Sequence, residues 1–181
     1  MDLTDENVAK WFDAYFEEVN NSQGPIEQAV NLRKYFTPDF MFHMYTAPPF
    51  FQSPLSRDKF LMLFVHPGLH ESFRLGNYVI DLNRMRVVVQ FEIQFADDVS
   101  GESFAPKQCS AHYWLELDEN RDLKIKEIKY WTETSASDEA MPLQKVWIER
   151  RTKALTDFAE GFLDGRPVGG TLSNAQLSEK K

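Results

Sequence analysis

Two of the four histidines in this 181-residue chain stand four residues apart, in the stretch FVHPGLHESF over residues 64–73. In a helix, that spacing puts the imidazoles of His66 and His70 on one face, where they can share a metal ion. Pro67 disfavours helical backbone at His66, and Gly68 lets the chain turn. We therefore expect His66 at the surface end of a helix and His70 at the start of a strand, as a candidate proton donor or acceptor.

A further candidate imidazole is His43, in the aromatic run FMFHMY over residues 40–45. Alternation along a strand puts Phe42 on one face, and His43 and Tyr45 together on the other face. A change of register by one residue exchanges the two faces. Both faces therefore stay open for His43, which we keep as a candidate base because an unperturbed imidazole titrates near neutral pH.

Cys109 is the only cysteine, which excludes an internal disulfide and a zinc site built from several cysteines. It lies on the apolar face of a predicted strand with no basic residue nearby in sequence, so we expect a small core residue and not a nucleophile. No ligand spacing connects Cys109 to His43 and His70. We expect no metal and no cofactor.

Composition bounds the class of protein. A chain of 181 residues fits one domain with a substantial core. Aromatic residues make up 14% of the chain, enough for some rings to line a pocket, and the net charge of −8 disfavours a nucleic acid partner. Because the N-terminus has no apolar signal core and no run approaches a membrane span, we expect a cytoplasmic protein without a membrane partner.

Hydrophobic spacing predicts two amphipathic helices in series, beginning after Thr4 and at Pro25, then a short strand and a third short helix. Four longer strands are predicted after these elements, over 70–81, 86–95, 108–117 and 123–133. The last requires a bulge near Lys126 and Glu127, where its alternation changes phase. We divide the chain into a domain over 1–136, a C-terminal helix over 137–165 that packs on it, and a flexible tail over 166–181.

This order of elements predicts an α+β fold in which a strongly bent, mostly antiparallel sheet wraps around the N-terminal helices. The order resembles the nuclear transport factor 2-like superfamily of α+β cones, and within it the SnoaL-like group. The stretches that carry the resemblance are TPDFMFHMY, HESF and SAHYWLELDENRDLKIKEIKYWTE, within residues 4–134. The superfamily includes isomerases, dehydratases, cyclases and binding proteins without catalytic activity, so the resemblance implies a fold more sharply than a function.

Scytalone dehydratase-like members carry a Trp-x-Asp-x-Tyr pattern on the first helix, which Trp11, Asp13 and Tyr15 reproduce. The resemblance implies that Tyr15 faces the cavity and that His70 matches the histidine after the third helix. The aspartate that follows the family's tyrosine is Phe16 here, and the family's second histidine has no counterpart. The match to this group is therefore partial.

Ketosteroid isomerase-like members also place a tyrosine at the position of Tyr15. Their general-base aspartate falls at about His43 or Met44, and their second acid has no match on the late strands. The resemblance therefore implies a catalytic set of His70, Tyr15 and His43, inside a pocket lined by Tyr45, Trp11, Phe42, Phe91 and Tyr113.

Two functions remain open at this stage. The first is a cofactor-independent lyase or isomerase for a small apolar or aromatic molecule, in which His70 or His43 moves a proton and Tyr15 or Tyr45 stabilises an oxyanion. The alternative is a ligand-binding or protein-interaction module without chemistry. His112 is predicted on the outer face of the sheet, through which cones of this kind commonly pair, so we expect a homodimer.

Overall fold

The computed structural model describes residues 2–20, 25–45, 53–64, 69–97, 100–103 and 106–132. His66 and the segments predicted as the C-terminal helix (137–165) and the tail (166–181) lie outside these residues. In the part of the chain that is described, no helix is long and apolar enough to cross a membrane.

Three helices precede the long strands: α1 Asp5–Asn20, α2 Pro25–Leu32 and α3 Arg57–Leu61. Thr4 begins α1 as predicted, because its Oγ1 accepts a hydrogen bond from the backbone N–H of Asn7 at 3.2 Å. One face of α1 is buried along its whole length, through Val8, Phe12, Tyr15, Phe16 and Val19. This face supplies the helical side of the core.

Six strands form one sheet in the order β2-β1-β6-β5-β4-β3. They are β1 Phe36–Met44, β2 Leu55–Ser56, β3 Leu69–Asp81, β4 Arg86–Asp97, β5 Lys107–Leu117 and β6 Leu123–Thr132. Every neighbouring pair is antiparallel except β1 and β6, which run parallel. The predicted α+β class, with a mostly antiparallel sheet after N-terminal helices, is confirmed.

Strand alternation divides the sheet into an inner face that packs on α1 and an outer face. The rings of Phe12 and Phe16 on α1 meet Tyr113 on β5 at 4.9 Å and Phe91 on β4 at 5.7 Å between centroids. The other buried apolar residues of β4, β5 and β6 share this inner face: Val87, Val89, Ile93, Cys109, Ala111, Leu115, Leu123, Ile125 and Ile128.

Three irregularities interrupt the ladders. In β6, Lys126 is an extra residue, because Ile125 pairs with Leu115 and Glu127 pairs with Trp114, which confirms the predicted bulge. In β1, the stretch Thr37–Asp39 lies within the strand, and the register with β6 shifts there. Each irregularity turns a strand locally and bends the sheet.

In β3 the register shifts between Leu75 and Tyr78. A Cβ on Gly76, in this shift, would lie 2.9 Å from the carbonyl oxygen of Gln90, which explains the glycine.

The edge strand β3 is tied to the end of α1. The side-chain amide of Asn20 donates to the carbonyl oxygen of Phe73 at 2.8 Å, and the N–H of Phe73 donates to Asn20 Oδ1 at 2.8 Å. The amide thus satisfies both backbone groups of one edge residue, as a neighbouring strand would. This contact fixes α1 against the end of the sheet where β3 begins.

Candidate functional site

The two ends of the inner face differ in their access to solvent. Where β5 ends and β6 begins, the inner residues are fully or almost fully buried, as are Val87, Ala111 and Ile125. At the opposite end, the inner residues are half-buried: Glu71, Phe73, Phe95, Tyr130 and Thr132. We call this second end the open end, since these inner residues are less buried than those at the first end.

A polar cluster occupies the open end. The thiol sulfur of Cys109 lies 3.0 Å from the hydroxyl oxygen of Tyr130 and 3.5 Å from Oγ1 of Thr132. The register of the β5–β6 hairpin places Cys109 opposite Thr132. Together with Glu71 on β3, these residues form what we call the inner polar cluster.

Tyr130 is held neutral in this cluster. Burial is the main cause that raises its pKa well above the usual value, and the adjacent Cys109 and the carboxylate of Glu71 raise it further. A neutral phenol keeps its O–H proton and can donate a hydrogen bond to a ligand. The pairing of Cys109 with this phenol gives the cysteine a polar contact that its predicted role as a core residue did not include.

Two more phenols lie deeper inside. Tyr15 and Tyr113 are each 3% exposed, and their ring centroids are 6.5 Å apart. Burial raises the pKa of both hydroxyls, with a further contribution from Tyr35 at Tyr15, and from Tyr15, Tyr130 and Tyr78 at Tyr113. The interior therefore contains neutral hydrogen-bond donors close enough to affect one another's ionisation.

The remaining members of the Trp-x-Asp-x-Tyr pattern do not join these phenols in a polar site. The Trp11 ring stacks on Tyr15 at 6.2 Å and meets the edge of Tyr35 at 5.2 Å. The hydroxyl of Tyr78 donates to Asp13 Oδ1 at 2.7 Å, on the exposed side of α1. Asp13 therefore joins α1 to β3, and Trp11 packs as a half-buried wall beside Tyr15.

Three of the predicted pocket residues lie on the inner face. Phe42, Phe91 and Tyr113 are all buried, and the first two rings lie 6.0 Å and 6.1 Å from the ring of Tyr130. These two phenylalanines form an apolar wall next to the inner polar cluster.

His43 and Tyr45 lie on the outer face instead. His43 Nε2 is 3.0 Å from Glu127 Oε1, and the exposed ring of Tyr45 stacks on Trp131 at 4.9 Å. The reason is strand alternation, because Phe42 takes the inner side of β1. Neither side chain can therefore reach a molecule in the interior beside Tyr15. Both predicted roles in an interior site are corrected by this placement.

The backbone of His70 pairs with Ala96 near the start of β3, while its side chain lies outside the described part of the structure. The next residue, Glu71, pairs with Phe95, whose alternation places it on the inner side of β4. Sequence reasoning selected the histidine of HESF and missed the glutamate beside it.

Tyr130 and Thr132 were also missed as site residues. The signal for them was present, because the bulge at Lys126 restores Tyr130 to the face of Ile128, and the hairpin then brings Thr132 opposite Cys109. Following the alternation through the bulge would have placed these side chains together. In the described residues, no group of three or more histidine, cysteine, aspartate or glutamate side chains is arranged to hold a metal ion.

Comparison with known proteins gives a likeness of structure alone. No protein-family model matches the chain, and no curated protein matches it by sequence. AusH from Aspergillus nidulans superposes with a TM-score of 0.58 at 10% identity, over 76% of this chain and 90% of AusH. Nuclear transport factor 2 from Cryptosporidium parvum superposes with a TM-score of 0.50 at 13% identity, over 69% and 90% of the two chains. The chain has the nuclear transport factor 2 fold.

A third similar structure, a putative SnoaL-like polyketide cyclase from Jannaschia sp. CCS1, gives a TM-score of 0.52 at 16% identity over 74% of this chain and 91% of that protein. It supports the expected likeness to the nuclear transport factor 2-like superfamily of cones. At such identities the fold is shared, and the activity of each protein depends on the side chains inside its own cone.

The neutral phenols of this cone predict a loss of stability in alkali. Each tyrosine whose folded pKa exceeds the unfolded value of about 10 contributes stability below that pH and loses it as the pH rises further. Between about pH 10 and about pH 11, the free energy of unfolding of Tyr113→Phe should fall less steeply than that of the parent chain, by about 1 kcal/mol per pH unit.

Urea titrations at a series of pH values measure this slope. The exposed Tyr45→Phe variant is the matched control and should retain the parent slope. Equal slopes for the parent chain and Tyr113→Phe would contradict the protonated, buried state of this phenol.

Proposed function

We propose that this protein binds a small apolar or aromatic molecule at the open end of the cone and that the inner polar cluster anchors the molecule's polar group. The observation that carries the proposal is the position of the Tyr130 hydroxyl, 3.0 Å from Cys109, on a half-buried part of an otherwise apolar inner face. An apolar wall with a few convergent polar groups is the usual composition of a small-molecule site.

The rings around the cluster support an apolar or aromatic body for the ligand. Phe73 and Phe91 pack at 5.9 Å, and Phe91 and Phe42 both adjoin Tyr130. A flat molecule in contact with these rings buries its faces against them, while one hydroxyl or carbonyl oxygen can reach the phenol of Tyr130. The donor O–H of a neutral phenol suits such an oxygen.

Loss of the Tyr130 hydroxyl should weaken binding without closing the site. We expect Tyr130→Phe to bind 2-naphthol about fivefold more weakly than the parent chain, since one hydrogen bond contributes on the order of 1 kcal/mol. Isothermal titration calorimetry measures the dissociation constants, and 2-methylnaphthalene, which has no hydroxyl, should bind both chains equally.

Adjacent positions on β5 provide a matched pair of controls for the location of the site. Cys109→Leu enlarges an inner side chain and should abolish binding, whereas Ser110→Leu enlarges an outer one and should leave the affinity unchanged. Circular dichroism and thermal denaturation establish that each variant is folded. Binding that survives Cys109→Leu but is lost in Ser110→Leu would place the ligand outside the cone.

A second candidate function is acid–base chemistry on the bound molecule, as a cofactor-independent lyase or isomerase. The neutral state of Tyr15 and Tyr113 favours it, because a buried phenol that keeps its proton is a donor for a developing oxyanion. In this proposal the carboxylate of Glu71, on the inner side of β3 and near the hydroxyl of Tyr130, takes the proton.

Proton exchange into a carbonyl compound tests this chemistry without knowledge of the natural substrate. The parent chain should accelerate deuterium incorporation at the α-carbon of 3-cyclohexenone in D₂O, followed by proton NMR. Glu71→Gln should reduce the rate by about 10²-fold or more, as for loss of a general base. His112→Gln, a change on the outer face, is the control and should keep the parent rate; no acceleration by a parent chain that binds the compound would leave binding as the function.

We also propose that two copies pair through the outer face of the sheet. The residues concerned lie in neighbouring register positions and form what we call the outer patch: Met41, His43, Tyr45, Val79, Arg86, Val88, His112, Trp114, Glu127, Lys129 and Trp131. Among the described residues, the exposed large apolar side chains are four, and Met41, Tyr45 and Val79 belong to this patch. An exposed face that combines these apolar side chains with partly exposed indole rings commonly meets a partner.

The charges of the outer patch favour a second copy as that partner. The whole chain carries a net charge of −8, so two copies repel each other on average. Within the patch, however, the two cations Arg86 and Lys129 outnumber the single carboxylate of Glu127, and both cations lie over the ring of Trp114 at 4.9 Å and 4.3 Å. The negative charge that makes two chains repel each other therefore lies mostly outside this face.

Two exposed valines make a matched test of the pairing. Val79 on the outer patch is 66% exposed and Val30 on α2 is 48% exposed, so glutamate at either position should leave the fold intact. We expect light scattering after size exclusion to give a dimer mass for the parent chain and Val30→Glu, and a monomer mass for Val79→Glu. A monomeric parent chain at neutral pH, or a dimeric Val79→Glu, would refute pairing through this face.

A further inference from the structure

His112 lies in the middle of the outer patch, among positively charged neighbours. The register pairs it with Lys129 on β6 and Val88 on β4, and its ring is 4.7 Å from the ring of Trp131 and 6.3 Å from that of Trp114. The imidazole is half-buried even in the single chain. Its position makes it the titratable group that a second copy would cover.

The charged groups around His112 come from three strands. Burial is the main cause that lowers the pKa of His112 below the usual value. The positive charges of Lys129 on β6 and Arg86 on β4 lower this pKa further. From β1, the nearest titratable group is His43, whose Nε2 lies 3.0 Å from Glu127 Oε1. Glu127 is also 3.6 Å from Lys129 Nζ, so this carboxylate is already shared between two partners.

We infer that protonation of His112 controls self-association through the outer patch, with the paired form favoured at neutral pH and the single chain favoured in acid. The inference rests on the pairing proposed above. Among the described groups, the imidazole of His43 is adjacent to a carboxylate, whereas that of His112 lies between two cations and two indole rings. A proton on His112 therefore adds a third positive charge to one small area, just where the second copy removes water.

The sign of the effect follows from proton linkage. Pairing desolvates His112 further and so favours its neutral form, which means that a protonated His112 must release its proton to solvent when two copies meet. As the pH falls below the pKa of His112 in the single chain, which lies below the usual value of about 6.5, the dissociation constant should rise by up to about tenfold per pH unit for each histidine involved. With one His112 from each copy, the limit is about a hundredfold per pH unit.

Sedimentation velocity on the full chain between about pH 8 and about pH 5 measures this dependence. The parent chain should dissociate progressively as the pH falls, while His112→Gln, which is uncharged throughout, should remain paired at every pH. His43→Gln is the matched control from the same patch and should keep the parent dependence. Near-UV circular dichroism verifies the fold of each variant, and His112→Asn replaces the glutamine variant if that one unfolds.

The outcomes separate the two proposals. A parent chain that is monomeric at about pH 8 contradicts the pairing itself and, with it, the role of His112. A parent dimer with a dissociation constant independent of pH, or a His112→Gln dimer that dissociates in acid as the parent does, contradicts the role of His112 alone. If His43→Gln loses the pH dependence while His112→Gln keeps it, then His43 and not His112 determines the dissociation in acid. That result overturns the inference.

Discussion

The alternation of side chains along β4, β5 and β6 is the constraint on which the rest of this structure depends. Because α1 buries one face of the sheet completely at one end, each residue of these strands is committed either to the core or to the outer surface. The bulge at Lys126 is required by this commitment, since without it Tyr130 and Thr132 would point away from Cys109. Both the inner polar cluster and the outer patch are products of the same register.

Sequence predicted well wherever neighbouring residues decide the outcome. The alternation from Val87 to Phe95, the cap at Thr4 and the bulge near Lys126 are all local patterns, and each is confirmed. The sequence does not decide on which face of the sheet His43 lies, because this depends on how β1 aligns with β6, more than eighty residues later in the chain. The cluster around Tyr130 was missed for the same reason, since Glu71, Cys109 and Thr132 come from three separate strands.

The interior is polarised mainly by phenols. Phe16 stands where the resemblance to scytalone dehydratase-like proteins would put an aspartate, and it packs against Phe91. Burying an ionised carboxylate is costly unless it is fully paired, whereas a phenol enters the core neutral. Tyr15 and Tyr113 therefore give this cone donor groups at a modest cost in stability, while the carboxylate of Glu71 lies at the half-buried open end.

The two faces of the sheet carry different titratable groups, phenols inside and imidazoles outside, and therefore change charge at different pH. The inner phenols keep their protons far above neutral pH, so the open end presents the same donors across the physiological range. The two imidazoles whose side chains are described, His43 and His112, both lie outside, where the pKa of His112 is lowered. Acid therefore changes the charge of the outer patch before it changes the inner phenols, and in our proposals a change in assembly need not disturb the phenols that would hold a ligand.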